Sequence, residues 1–246
     1  MRLAWRRWIA LVVMGAVAAG LATLGFVLRH DIPAITVRTA VVLKPSDAFA
    51  SIVSVRACAS ALFGAHRQCS NGTGWSVAPG LFVTDAHVVG RLPGVRSGAD
   101  EELVDFDVLD ADFATHRAQV LRADAAHDVA VLRADLFLPS LVLGDTAPSP
   151  GAGATAICSG VTLAITHGDD AGPQGLAMAG RIGTIIHPDV AGYPPTLINL
   201  EGIVVPHGCS GGPVIVDGGV AAVLEAQSAG ASQAIPAAQV RDLLYG

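Results

Sequence analysis

His207-Gly208-Cys209-Ser210-Gly211-Gly212-Pro213 is a run that regular helix does not hold, because four of its seven residues are glycine or proline. It sets one serine among small residues. Glycine supplies the backbone freedom that a tight turn needs, and it lets a ligand approach the main chain closely. In such a turn the N–H groups of Gly208 and Ser210 point into one small space beside the Ser210 hydroxyl, which suits an oxyanion that develops during acyl transfer. Gly-Gly-Pro also punctuates ordinary hairpins. What lies upstream decides the reading.

The first upstream stretch is Gly72-Thr73-Gly74-Trp75-Ser76-Val77-Ala78-Pro79-Gly80-Leu81-Phe82-Val83-Thr84-Asp85-Ala86-His87-Val88-Val89. Two strands joined by a Pro-Gly turn end in a histidine preceded by the small Ala86. His87 at the rim of a rigid element stands where a general base must sit. The second is Ala126-His127-Asp128-Val129-Ala130-Val131-Leu132. An acid directly before an apolar strand is commonly a turn residue. Placed behind a histidine, it also fixes the imidazole tautomer and stabilises the imidazolium.

The rest of the chain has the same rhythm of short β-type runs separated by turn residues. Strands are expected at Ser51–Arg56, Gly74–Val77, Leu81–Thr84, Val104–Leu109, Ala118–Arg122 and Val129–Leu132. A second set follows Ala147-Pro148-Ser149-Pro150-Gly151: Ala154–Cys158, Leu176–Ile186, Leu197–Leu200, Val214–Val216 and Val220–Leu224. Many short strands at regular intervals predict an all-β barrel or sandwich, not alternating strands and helices. Pro236–Tyr245 reads as a short terminal helix with proline at its start and Val240, Leu243 and Leu244 on one face.

The chain has 246 residues, of which 52% are hydrophobic and only 15% charged, so it is neither disordered nor highly charged. Residues 8–28 are uncharged and almost wholly apolar; as a helix they reach about 31 Å, enough to cross a bilayer's hydrocarbon core. Arg2, Arg6 and Arg7 precede that run, which predicts a cytoplasmic N-terminus and an exported body. A cleaved signal peptide ending near Ala16-Val17-Ala18 is the rival reading, but the apolar run continues well past it. The expected organisation is a membrane anchor over 1–30, a linker over 31–49 and one catalytic domain over 50–246. Beyond residue 30 the balance is acidic and carries no basic stripe, so nucleic acid is not an expected partner.

An exported body is a compartment where disulfides persist. Cys58 and Cys69 flank a short loop and could clip a hairpin; Cys158 and Cys209 remain, with Cys209 beside the serine. Four cysteines allow three pairings, which the sequence leaves open. No Cys-x-x-Cys or His-Glu-x-x-His pattern occurs, so neither a metal nor another cofactor is expected.

Taken together, Thr84-Asp85-Ala86-His87-Val88-Val89, His127-Asp128-Val129-Ala130-Val131-Leu132 and Gly208-Cys209-Ser210-Gly211-Gly212-Pro213 resemble the trypsin-like serine proteases, closest to the bacterial Deg-type (high-temperature-requirement) branch and its membrane-anchored relatives. Leu143-Gly144-Asp145 and Ala234-Ile235-Pro236 add to the likeness, which covers roughly residues 50–245. The resemblance implies a double six-stranded β-barrel with the active site in the cleft between the barrels. It implies Ser210 as nucleophile, His87 as general base and then acid, Asp128 as the orienting carboxylate, and Gly208 and Ser210 as oxyanion donors. The substrate is then a polypeptide.

Two features depart from the family pattern. Cys209 stands where these proteases usually carry Asn or Asp, and no peptide-binding PDZ domain follows the catalytic region within this sequence. Val204 and Val205, just before the serine turn, fall where the family lines its primary specificity pocket. Without an acid there, cleavage after apolar or small residues is expected. An inactive protease-like binding module is the alternative that Cys209 raises. The Gly-x-Ser-x-Gly spacing also fits an α/β-hydrolase elbow, but in that fold the acid and histidine follow the serine, and no histidine follows Ser210.

Overall fold

The computed structural model describes residues 45–60, 67–90, 104–167, 175–190, 193–228 and 231–246. The apolar run at 8–28 and most of the expected linker lie outside the described residues. Among the described residues, no helix is long and apolar enough to cross a membrane.

β1 (Ile52–Ser60), β2 (Arg67–Ala78), β3 (Leu81–Thr84), β4 (Val104–Leu109), β5 (Thr115–Asp124) and β6 (Val129–Ala134) close into one antiparallel barrel in the order β1-β2-β3-β6-β5-β4. β7 (Gly153–Cys158), β8 (Leu176–Ile186), β9 (Leu197–Glu201), β10 (Pro213–Val216), β11 (Gly219–Ser228) and β12 (Ala231–Pro236) close into a second. Read from its first strand, the second barrel runs β7-β8-β9-β12-β11-β10, which is the topology of the first repeated. Closure removes the open sheet edges that would otherwise invite pairing with other chains.

The local causes are plain at β2–β3. Pro79 followed by Gly80 at φ 74° is the residue pairing of a type II turn, and the four residues of β3 are all buried. Val53, Val55, Phe82, Val108 and Leu132 fill the first barrel; Ile182, Ile198, Val214 and Leu224 fill the second. Each such side chain contributes about 1.5–3 kcal/mol on burial.

Among the described residues there are also four short α-helices: α1 (Pro45–Ala48), α2 (Ala86–Gly90), α3 (Gly160–His167) and α4 (Ala237–Tyr245). The terminal helix starts one residue later than expected because Pro236 still belongs to β12, and its buried residues are Ala237, Val240 and Leu244. α4 is tied to both halves of the body. Arg122 of β5 donates to Leu243 O at 2.8 Å, and Arg241 donates to Gly144 O in the connection between the barrels. α3 packs on the first barrel: Thr162 Oγ1 bridges Gly72 O (2.8 Å) and Ser54 Oγ (2.7 Å).

Candidate active site

His87 occupies the first turn of α2. Ala86, Val88 and Val89 of that helix are buried, which leaves the imidazole, about a quarter exposed, on the open side. Asp128 closes the turn that leads into β6 and adopts φ 55°, a conformation that aspartate tolerates better than most residues. From there it holds α2 three times. Its carbonyl accepts the Ala86 N–H (3.2 Å), its Oδ1 accepts the His87 N–H (2.7 Å), and its Oδ2 meets His87 Nδ1 at 2.6 Å. With Nδ1–H donated to the carboxylate, Nε2 carries the free lone pair.

Ser210 lies on the turn that leads into β10 of the second barrel. Gly208 (φ 92°) and Gly211 (φ 88°) bracket it in the left-handed region. The turn is closed by Cys209 N–H to Pro206 O (3.3 Å), Gly212 N–H to Cys209 O (2.9 Å) and Gly211 N–H to Leu224 O (2.8 Å), a ladder that uses neither the Gly208 nor the Ser210 N–H. The disulfide Cys158–Cys209 fastens the turn to the end of β7, while Cys58–Cys69 clips the β1–β2 hairpin.

Thr73 of β2 seats the serine turn on the first barrel. Its N–H donates to Ser210 O (2.8 Å), its Oγ1 donates to Gly208 O (2.9 Å) and accepts the Ser159 N–H (3.1 Å), and its carbonyl accepts Thr84 Oγ1 (2.8 Å). A side chain at Gly211 would put its Cβ 2.2 Å from Thr73 O and 2.9 Å from Asp85 N. The serine turn therefore abuts the strand end that leads into His87. Among the described residues no hydrogen bond joins Ser210 to His87, and such contacts commonly tighten only when substrate is bound.

Asp85, two residues before His87, is fully buried, with its Oδ2 3.9 Å from His87 Nδ1. Burial first, then the Asp128 carboxylate, then Glu225 push its pKa well above the ordinary carboxylate value; the Gly211 N–H opposes them. Donor atoms of Asp85, His87 and Asp128 lie within 4.8 Å of one another. Tetrahedral coordination at about 2.1 Å asks for donors about 3.4 Å apart. The 2.6 Å between Nδ1 and Asp128 Oδ2 is a hydrogen bond instead.

Of the residues expected to line the pocket, Val204 is 77% exposed beside the turn, whereas Val205 packs in the second barrel's core with its N–H on Ser232 Oγ at 3.2 Å. The sequence assigned no role to Asp85, Thr73 or Glu225. Asp85 lay in plain view inside the histidine motif, but nothing in the string of letters marks it as buried.

An imidazole–carboxylate pair carried by one barrel, with a glycine-bracketed serine carried by its repeat, is how two-barrel serine hydrolases are built. The family model of the trypsin-like peptidase domain matches residues 72–223, and the chain belongs to that family. It is accordingly a serine endopeptidase, a hydrolase of peptide bonds. Among solved structures, the Rv3671c protease in its inactive form is similar, with a TM-score of 0.59 over 87% of this chain and 98% of that one. The two are 24% identical, so this likeness is one of fold. No curated protein sequence matches.

Proposed function

We propose that the chain is an exported endopeptidase, tethered to the membrane by residues 8–28, that cuts polypeptides through Ser210, His87 and Asp128. His87 Nε2 takes the Ser210 proton as Oγ attacks the scissile carbonyl, and later returns it to the leaving amine. Asp128 holds the imidazole in the tautomer that this transfer needs. The N–H groups of Gly208 and Ser210, left out of the turn's own ladder, receive the oxyanion. The observation that carries the reading is the double hold of Asp128 on His87, beside a serine turn seated on the same barrel by Thr73.

Cleavage after apolar or small residues is the specificity that fits best. Exposed Val204 is the one of the two valines free to meet a substrate side chain, and a peptide-library profile dominated by Arg or Lys would overturn this assignment. Ser210→Ala abolishes labelling by a fluorophosphonate and turnover of unstructured casein; labelling that persists in this variant refutes Ser210 as the nucleophile.

A further inference from the structure

Asp85 is a buried acid that the triad does not use. Among the described residues neither of its carboxyl oxygens has a hydrogen-bond partner, in contrast to buried Asp107, whose Oδ2 meets Arg56 Nη2 at 2.9 Å. The groups that face Asp85 come from different parts of the fold: His87 from α2, Asp128 from the turn before β6, Glu225 from β11 and the Gly211 N–H from the serine turn. His87 Nδ1 is already bonded to Asp128, and the Gly211 N–H to Leu224 O. Two of the remaining neighbours are carboxyl groups. An ionised Asp85 would be a desolvated anion set against two other acids, and a group in that position keeps its proton instead.

We propose that Asp85 works as an un-ionised carboxylic acid beneath the His87–Asp128 pair, a positioning residue that leaves the imidazole facing a single carboxylate and whose ionisation disrupts the site. The catalytic half of this rests on the peptidase reading; the claim of a neutral acid does not. Once ionised, Asp85 adds a second anion 3.9 Å from Nδ1 and repels both Asp128 and Glu225. The sign for stability follows. The folded-state pKa lies above the unfolded value of 3.8, so between the two the unfolded chain binds fewer protons. Stability is full below 3.8 and declines as pH rises towards the folded pKa.

The test compares the full wild-type chain with Asp85→Asn, which keeps the shape and cannot ionise. Three measurements are made: melting temperature against pH, the infrared C=O stretch of a protonated carboxyl group, and the rate of fluorophosphonate labelling against pH. The variant should melt about 5 °C higher than wild type at neutral pH, and the gap should close towards pH about 4. Wild type should show a protonated-carboxyl band at neutral pH that the variant lacks. Relative to its own neutral rate, wild-type labelling should fall about tenfold as pH is raised while the variant holds. A melting gap that is constant with pH, a missing band, superimposable labelling profiles or an Asn variant that does not fold would each overturn the proposal. A wild-type chain that labels at no pH sinks the peptidase reading instead, and the melting and infrared measurements then decide on Asp85.

Discussion

Removing the Cys158–Cys209 disulfide asks what holds the serine turn in place. The bond closes a loop of 51 residues, and on the chain-entropy account such a crosslink is worth about 4 kcal/mol of stability. Cys58–Cys69 closes only 11 and is worth about 3 kcal/mol on the same account. The double variants Cys158→Ala/Cys209→Ala and Cys58→Ala/Cys69→Ala therefore make a matched pair. With a urea slope of about 2 kcal/mol per molar, the first moves the unfolding midpoint down by about 2 M and the second by about 1.5 M. Activity should separate them far more than stability does. Cys209 is the residue before Ser210, whereas Cys58 and Cys69 sit at the end of the β1–β2 hairpin. In urea-free buffer, where both variants remain folded, fluorophosphonate labelling should slow at least about tenfold in the first and stay near wild type in the second. Equal labelling rates in all three proteins would refute the claim that this bond positions the turn.

Glycine substitutions separate backbone strain from collision. Gly211→Ala and Gly151→Ala meet nearly the same positive φ, 88° and 86°, but a Cβ at Gly151 has nothing within 4 Å while one at Gly211 lies 2.2 Å from Thr73 O. Denaturant unfolding should show about 1 kcal/mol lost at Gly151 and at least about 3 kcal/mol at Gly211. Thr73→Val keeps the volume but strips Gly208 O and the Ser159 N–H of their partner. It should lower stability by about 2–3 kcal/mol and slow labelling, with Thr73→Ser recovering most of both.

The strands easiest to read were those whose pattern is local. β3, β4 and β8 have the bounds that the sequence predicts, β4 from its alternation of apolar and acidic residues. β12 was missed because Ala231–Pro236 is made of small and polar residues, with one isoleucine and a proline at its end. It is a strand because β9 and β11 pair with it on either side. α3 was missed for the opposite reason. Its β-branched Val161, Thr162, Ile165 and Thr166 disfavour helix, and the segment is helical where Thr162 can reach Ser54 and Gly72 across to the first barrel. The closure of each barrel came from the resemblance; nothing in periodicity distinguishes a barrel from a sandwich.

The site divides along the same line. His87, Asp128 and Ser210 each sit in a short motif whose neighbours do local work: buried small residues around the histidine, a left-handed turn at the aspartate, positive-φ glycines around the serine. Such requirements are written in adjacent letters. Thr73 and Asp85 act on partners more than a hundred residues away, Thr73 on Gly208 and Ser210, Asp85 on Glu225. A threonine in a strand and an aspartate before a short helix have ordinary local explanations, and those explanations hide the contact that matters. The departure at Cys209 belongs with them. A cysteine beside the serine raised the prospect of a disabled site, yet its sulfur turns away into the second barrel's core to reach Cys158. The hydroxyl of Ser210 thus has for a neighbour not a competing thiol but a covalent strut, and the turn it stabilises is the one that Thr73 holds from the other side.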